Sequence, residues 1–348
     1  MFLGGLHRFA GFARHSADAD ILVVTNAWPS EERPAYGIFI FRQVQSAIAL
    51  GQDCDVLVIR GRDSAAAYVL AALRLLAWSL RGRPRYRLVH AHGGEAAIAA
   101  RFYLRAPLLI SYLGSDILGW HTPDGRLPRR QRLRAVLLRQ WARLSAATIT
   151  KSREMEGKLP GSVRARNTVL PNGVDRDLFA PLPRTQARAE LGWDARAPTV
   201  LFAANPEVRV KRFPLAQAAY EVARAHVPDL RLEIGWGIDP ARMPLLMSAA
   251  DCMVHTSVTE GSSNVIKEAL ACDLPVIAVA AGDAPELLAA VRGCAVCEAT
   301  PEALGHALVT CVRAGARSDG RERTAWLEEG VVARRLVDLY VRLQGARR

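Results

Sequence analysis

The chain has 348 residues, half of them apolar, which is enough to bury a large core and marks a globular protein of about two domains rather than a disordered one. Its net charge of +12 is uneven: residues 1–170 carry 25 lysines and arginines against 12 acidic residues, and residues 171–348 carry 21 against 22, so an anionic partner is met by the first half. Six scattered cysteines, with no secretory h-region ahead of them, point to a reducing cytosol.

Residues 1–17 place Phe2, Leu3, Leu6, Phe9 and Phe12 near helical spacing with His7, Arg8 and Arg14 between them, a pattern that fits a membrane-surface helix or a frayed terminus. A buried-type strand at 21–25 leads through Pro29, Pro34 and Gly37 into a helix at 38–50, the start of a Rossmann-like half. Asp53, Cys54 and Asp55 spell a DxD, a metal-holding pattern elsewhere. Here both aspartates precede a strand at 56–59, where such residues end a turn, so no metal role is expected. The run 65–80 is almost wholly apolar apart from Arg74 and passes into Arg81, Arg83, Arg85 and Arg87. It is too short to span a bilayer. With Tyr68 and Trp78 it suits partial burial in an anionic membrane surface as well as it suits a core helix.

Strands at 88–91 and 108–112 end in two polar loops, His92-Gly93-Gly94 and Gly114-Ser115-Asp116. His90 and His92 have no third ligand nearby, so a metal site is not expected there. A helix at 129–147 bears Arg129, Arg130, Arg132, Arg134, Arg139 and Arg143. No nucleic-acid motif accompanies these arginines and few aromatics interleave with them. They fit an anionic lipid or phosphate-linked acceptor, or a solvated helix face. A strand at 146–150 and a stiff turn at Pro171 and Gly173 place a domain boundary near 170.

The second half opens on a strand at 199–204, followed by a basic segment containing Arg209, Lys211 and Arg212. A strand at 230–235 and a helix at 243–249 come next. Residues 251–288 then carry the strongest signal: strand 252–255, a loop to Asn264, a helix to Cys272, strand 275–280, a turn at Gly282 and a new helical start at 284–286. That order is a βαβ unit, whose loops and helix N-termini gather at one sheet edge. Ser262, Ser263 and Asn264 suit the capping of the helix, and Gly261 lets a ligand approach the backbone. The free amides beside them and the helix dipole suit a phosphate. Glu260 precedes the helix and Glu268 lies four or five residues inside it, roughly 6–8 Å along the axis, a separation that fits the two ends of a sugar nucleotide. Cys294 and Cys297 form a CxxC inside a strand-like run and read as core residues. Residues 324–343 show a helical apolar pattern.

The stretch EGSSNVIKEALACDLPVIA, with Glu260 and Glu268 separated by seven residues, resembles the paired-glutamate motif of retaining glycosyltransferase family 4. The resemblance implies an α/β GT-B fold: two Rossmann-like, doubly wound parallel-sheet domains facing a central cleft. It implies that Glu268 binds the nucleotide ribose and Glu260, as the catalytic-site carboxylate, contacts the donor sugar. The backbone of Gly261, Ser262, Ser263, Asn264 and Val265 would hold the donor diphosphate. Lys211 fits the family's phosphate-binding lysine, while Asn205 stands where an arginine is usual, its charge shifted to Arg209 or Arg212. Gly37 occupies the place of the family's glycine-rich turn and implies a further contact, to donor or acceptor, taken here as donor-binding. The loops with His92, Gly114 and Ser115 are similar to the family's acceptor-side loops. Leu113 replaces a usual histidine, whose role is carried over to no residue, although His92 and Asp116, the second catalytic candidate, stand near enough to serve.

The implied division is an acceptor-binding domain at 1–170, a nucleotide-sugar-binding domain at 171–323 and a C-terminal helix at 324–348 that crosses back to the first. The implied reaction moves a sugar from a nucleotide-diphosphate donor to an acceptor hydroxyl with retention, on an anionic or lipid-linked glycan of the cell envelope. No metal and no cofactor are expected. The expected location is the cytoplasm, with peripheral attachment to the inner face of the plasma membrane left open. Two other readings also stay open: a non-catalytic GT-B partner that binds a glycan or lipid, and a sugar-nucleotide 2-epimerase.

Overall fold

The structure is a computed structural model that describes residues 4–8, 19–33, 36–61, 64–82 and 85–345. The chain divides into two compact units. The first comprises Met1–Trp120, Arg129–Gly173 and Glu329–Arg348, the second His121–Pro128 and Val174–Glu328. In chain order the first unit contains β1 (Gly4–Arg8), β2 (Ile21–Thr25), α1 (Ile38–Ala49), β3 (Cys54–Ile59), α2 (Ala66–Arg81), β4 (Leu88–His92), α3 (Gly94–Ala100), β5 (Leu108–Ser111), α4 (Ser115–Leu118), α5 (Arg129–Trp141), β6 (Ala147–Thr150), α6 (Arg153–Gly157), α7 (Gly161–Arg164) and β7 (Asn167–Val169). The second contains α8 (Arg184–Leu191), β8 (Thr199–Phe202), α9 (Phe213–Arg224), β9 (Arg231–Ile234), α10 (Met243–Ala249), β10 (Cys252–His255), α11 (Asn264–Ala271), β11 (Val276–Val279), α12 (Ala284–Leu288), β12 (Ala295–Cys297), α13 (Pro301–Ala314) and α14 (Gly320–Arg323). The last helix, α15 (Glu329–Gly345), belongs to the first unit.

The sheet of the first unit runs β1-β3-β2-β4-β5-β6-β7, parallel throughout except for β1, which pairs antiparallel with β3. Alternate residues of each parallel strand serve two cores, as helices on both faces require. Leu22, Val24, Leu57 and Ile59 pack with α2 and α3 on one side. Ile21, Val23, Val56 and Leu88 pack on the other with α1 and α15. Val332, Leu336, Leu339 and Tyr340 recur at helical spacing and form the buried stripe of α15. Inside that core, His90 Nδ1 lies 2.7 Å from the Tyr340 hydroxyl and its Nε2 lies 2.7 Å from that of Ser111.

The second unit has a five-stranded parallel sheet ordered β12-β11-β10-β8-β9. Its first strand, β8, therefore sits between β9 and β10, and the chain leaves β8 toward one edge and β10 toward the other. Parallel sheets of this order open a crevice at the carboxyl ends of the two strands where the direction reverses.

Of residues 1–17, read as helically spaced, Gly4–Arg8 is an edge strand and the rest lies outside the described residues. The strand expected at 56–59 begins two residues earlier, so Asp55 lies within β3, where one carboxylate oxygen accepts from the Tyr86 hydroxyl at 2.9 Å. The helix expected to run to 147 stops at Trp141 and gives way to a 3-10 turn at Ala142–Leu144. No helix among the described residues is long and apolar enough to cross a membrane.

Candidate active site

At the reversal point of the second unit, two loops are tied to each other. The segment after β8 ends in a 3-10 turn at Arg209–Lys211, and Arg212 follows in the left-handed region at φ 50°. That unusual backbone turns the Arg212 guanidinium back onto β10: its Nε donates to the Thr256 carbonyl at 2.6 Å. The Thr256 hydroxyl donates in return to the Lys211 carbonyl at 2.7 Å, and the Val258 amide donates to the Val210 carbonyl at 2.9 Å. Arg212, a candidate phosphate ligand by sequence, is thus spent on main-chain carbonyls. Arg209 is exposed, and Asn205 accepts from the Glu207 amide at 2.9 Å within its own turn.

These ties bring Lys211 against Glu260, with Nζ 2.5 Å from Oε1. Both side chains are partly withdrawn from solvent, at 29% and 17% exposure, so water and salt screen the pair less than they would a surface salt bridge. His255, at the end of β10, places Nε2 3.7 Å from the same carboxylate oxygen. Burial pushes the Glu260 pKa up, but the His255 ring and the Lys211 ammonium outweigh it and hold the carboxyl down at about 2. Glu260 is an anion at any physiological pH.

The start of α11 differs from the sequence expectation in one respect. Ser263 is the N-cap, yet its side chain does not cap the helix. Its hydroxyl lies instead 3.2 Å from His255 Nε2. Ser262 likewise turns away from the helix and donates to the Asp283 carboxylate at 2.6 Å. Gly282 keeps the Asp283 turn close, because a Cβ at that position would stand 3.0 Å from the Glu260 carbonyl oxygen at a backbone φ of +60°. The loop Gly261–Ser263 is therefore held from both sides by His255 and Asp283, with the positive end of the α11 dipole beside it.

Asn264 and Val265 open the first turn of α11, and Glu268 lies half-buried one turn on. Between Glu260 and Glu268 in sequence lies Lys267, 1% exposed. Burial pulls its ammonium down to about 8 against the opposing fields of Asp283, Glu268 and Glu260. Sequence reasoning passed over Lys267, Asp283 and His255. Each reads there as an ordinary helix, turn or strand residue, although all three lie within the 251–288 stretch.

In the first unit, the corresponding strand ends carry the acceptor-side candidates. His92 closes β4 and is 1% exposed, its ring centroid 4.1 Å from that of His90. Burial, His90 and Lys151 hold the His92 pKa well below its ordinary value, so the ring is neutral. Burial and Lys151 do the same to His90, down to about 3. Among the described residues, no cluster of histidine, cysteine and acidic side chains forms a metal site.

Asp116, the second catalytic candidate, is enclosed by backbone amides. Its carboxylate accepts from the Leu113, Gly114, Ile117 and Gly94 amides, with the shortest bond 2.9 Å from Gly114. Burial pushes its pKa up against those amides. It is 4% exposed, and its amide contacts hold the Gly114-Ser115 loop. Ser115 starts α4, and its carbonyl accepts from Arg134 at 3.0 Å. Gly37, a donor candidate by sequence, is the N-cap of α1 at φ 75°, and a Cβ there would stand 2.4 Å from the Ala27 carbonyl. The left-handed backbone and the close Ala27 carbonyl both call for glycine at that position.

Two parallel-sheet units, each with helices on both faces and the second with a basic, amide-lined loop at its strand reversal, define a GT-B type of glycosyltransferase fold. Its first half matches the family model "Glycosyltransferase Family 4" over residues 9–178, and its second half matches "Glycosyl transferases group 1" over residues 200–314. Among solved structures it is similar to sucrose-phosphate synthase from Thermosynechococcus elongatus, at 19% identity and TM-score 0.72, covering 94% of this chain and 99% of that one. HepE from Anabaena in complex with UDP and glucose is similar at 17% identity and TM-score 0.65, covering 93% and 99%. The catalytic domain of starch synthase IV from Arabidopsis thaliana, bound to ADP and acarbose, is similar at 12% identity and TM-score 0.65, covering 94% and 100%. No curated protein sequence matches the chain.

Proposed function

We propose that this glycosyltransferase transfers a sugar from a nucleotide-diphosphate donor to an acceptor hydroxyl with retention of configuration, without a metal ion. The observation that carries the reading is the Lys211–Glu260 pair beside the α11 N-terminus, whose N-cap side chain, Ser263, turns to His255 instead of the helix. The diphosphate takes Lys211 and Arg209 as cations and the amides of Gly261–Val265 as donors. Charge that develops on the departing diphosphate is then met by groups already in place, which is where such stabilisation is worth most. Glu268 accepts from the ribose hydroxyls. Glu260, held ionised, accepts from the hydroxyls of the donor sugar. Solved relatives of this fold hold UDP or ADP, which supports a nucleoside diphosphate as the ligand.

The acceptor is an anionic or lipid-linked glycan, a reading supported by the basic balance of the first half. A thermal-shift screen of nucleoside diphosphates and sugar nucleotides tests the donor, since tight binding to the folded state raises the melting temperature by mass action. Stabilisation by one nucleoside diphosphate and its sugar conjugate is expected. A flat response across uridine, adenosine and guanosine diphosphates would remove the basis of the proposal.

A further inference from the structure

The helices on one face of the first unit reverse the usual distribution of side-chain size. α2 turns Ala67, Ala71, Leu75 and Ser79 into the core and leaves Val69, Leu73 and Leu80 60%, 57% and 73% exposed. α5 buries Ala135 and Leu138 and leaves Leu133 and Leu137 61% and 60% exposed. Between them lies α3, glycine and alanine except for Glu95 and Ile98, and Ile98 and the nearby Phe102 face outward. α2 packs on α3 and α3 on α5, so these side chains belong to one face. An amphipathic helix of a water-facing surface places its large aliphatics inward, and a broad exposed apolar face marks an interaction site.

The charge on this face has one sign. Leaving out 121–128, which belongs to the second unit, residues 65–146 contain thirteen arginines and two acidic residues. Of those two, Glu95 is paired with Arg134 and Asp116 is buried among amides. Arg134 and Arg139 hold the Ser115 and Ile117 carbonyls, whereas Arg129, Arg130, Arg132 and Arg143 are exposed. Where the chain leaves α3 and α5, Arg101, Leu104, Arg143 and Leu144 line a cavity of about 360 Å³, and Arg101 Nε is buried there without a protein partner.

We infer that the outer face of α2, α3 and α5 docks on an anionic phospholipid bilayer, its aliphatic side chains entering the acyl boundary, its arginines meeting lipid phosphates and the Arg101–Arg143 cavity taking one headgroup. Apolar residues flanked by cations of one sign match that interface, and the planar guanidinium fork matches a phosphate. A protein partner of mixed charge would leave most of these arginines unpaired. The basic start of α5 stands beside the Ser115 loop through Arg134, so a lipid-linked acceptor would arrive at that loop from the membrane. This last step rests on the proposed function; the docking itself does not.

Co-sedimentation of the whole chain with vesicles of phosphatidylcholine, alone or mixed with phosphatidylglycerol, tests the docking without any transfer assay. Sedimentation with the mixed vesicles and not with the neutral ones is expected. Leu73→Ser combined with Leu137→Ser should lower that binding about tenfold or more. Arg130→Ser combined with Arg132→Ser should lower it roughly fivefold per arginine. Val341→Ser, an exposed position on α15, should bind as wild type. All three variants change exposed side chains, and an unchanged melting temperature certifies their fold. Equal binding to both vesicle types, or wild-type binding by the first two variants, would overturn the inference. So would a dimer that light scattering shows dissolved by Leu73→Ser while no vesicle binding occurs, since the face would then belong to a second copy.

Discussion

Lys211 Nζ and Glu260 Oε1 are 2.5 Å apart, so the cation proposed for a donor phosphate is already paired with the carboxylate proposed for the donor sugar. An entering diphosphate has to compete for that ammonium. Glu260→Gln should therefore tighten nucleoside diphosphate binding several-fold while lowering kcat by about 100-fold or more. Lys211→Ala should weaken binding and transfer together. Calorimetric binding of the diphosphate beside steady-state kinetics separates the two; an unchanged Kd in Glu260→Gln would mean that the pair does not compete.

Glu268 should distinguish the ribose from the phosphates. Glu268→Ala is expected to weaken nucleoside diphosphate binding by about 10- to 100-fold, the scale of a hydrogen bond to a charged group. Inorganic pyrophosphate, which lacks the ribose, should bind the variant as it binds the wild type. Equal loss for both ligands would move Glu268 out of the ribose role.

The ionisation of Glu260 links stability to acid. Its carboxyl is held at about 2 in the folded chain, against 4.5 for the ordinary group. A depressed carboxylate stabilises the fold above its unfolded value, and that contribution is lost as pH falls from about 4.5 toward 2. It amounts to about 3 kcal/mol when fully present. Urea unfolding followed over that range should show Glu260→Gln with a shallower acid loss than wild type.

Positioned cations and amides suffice for the diphosphate on this reading, so transfer should survive EDTA at full rate. Activity that EDTA abolishes and manganese restores would assign part of the charge to a metal ion.

Gly37 should matter for folding and not for the donor. Gly37→Ala puts a Cβ 2.4 Å from the Ala27 carbonyl at a left-handed φ of 75°. A cost of about 1–3 kcal/mol is expected. Diphosphate affinity in the surviving folded fraction should equal that of wild type; a selective loss of affinity would restore the donor contact expected from its place in the sequence.

Strands buried on both faces were the most legible elements, because continuous apolar runs such as 21–25 and 252–255 leave little choice of conformation. Edge strands were not. Asn167–Val169 is half-buried, and no apolar run announces it. The length of α5 was overread because arginine and leucine continue past Trp141, while the turn that ends it depends on Ser145, whose hydroxyl donates to the Ala142 carbonyl at 2.7 Å. Within the site, the spacing of Glu260 and Glu268 and the reach of Lys211 could be read from the chain. The retirement of Arg212 onto Thr256 could not, since it follows from a positive φ that no arginine advertises. Asp116 looked like a free carboxylate beside two glycine-rich loops; only the folded backbone shows four amides converging on it.

The placement of α15 orders events in time. Leu336, Leu339 and Tyr340 close one core of the first unit, and Tyr340 completes the buried link to His90 and Ser111. A ribosome delivers them after every residue of the second unit. Domains usually fold as they emerge, at roughly 5–20 residues per second. Here the unit made first has to wait, with the β2, β3 and β4 side chains of that core uncovered, until the final helix leaves the exit tunnel. The second unit, continuous from Val174 to Glu328 apart from one short segment supplied earlier, can finish before it.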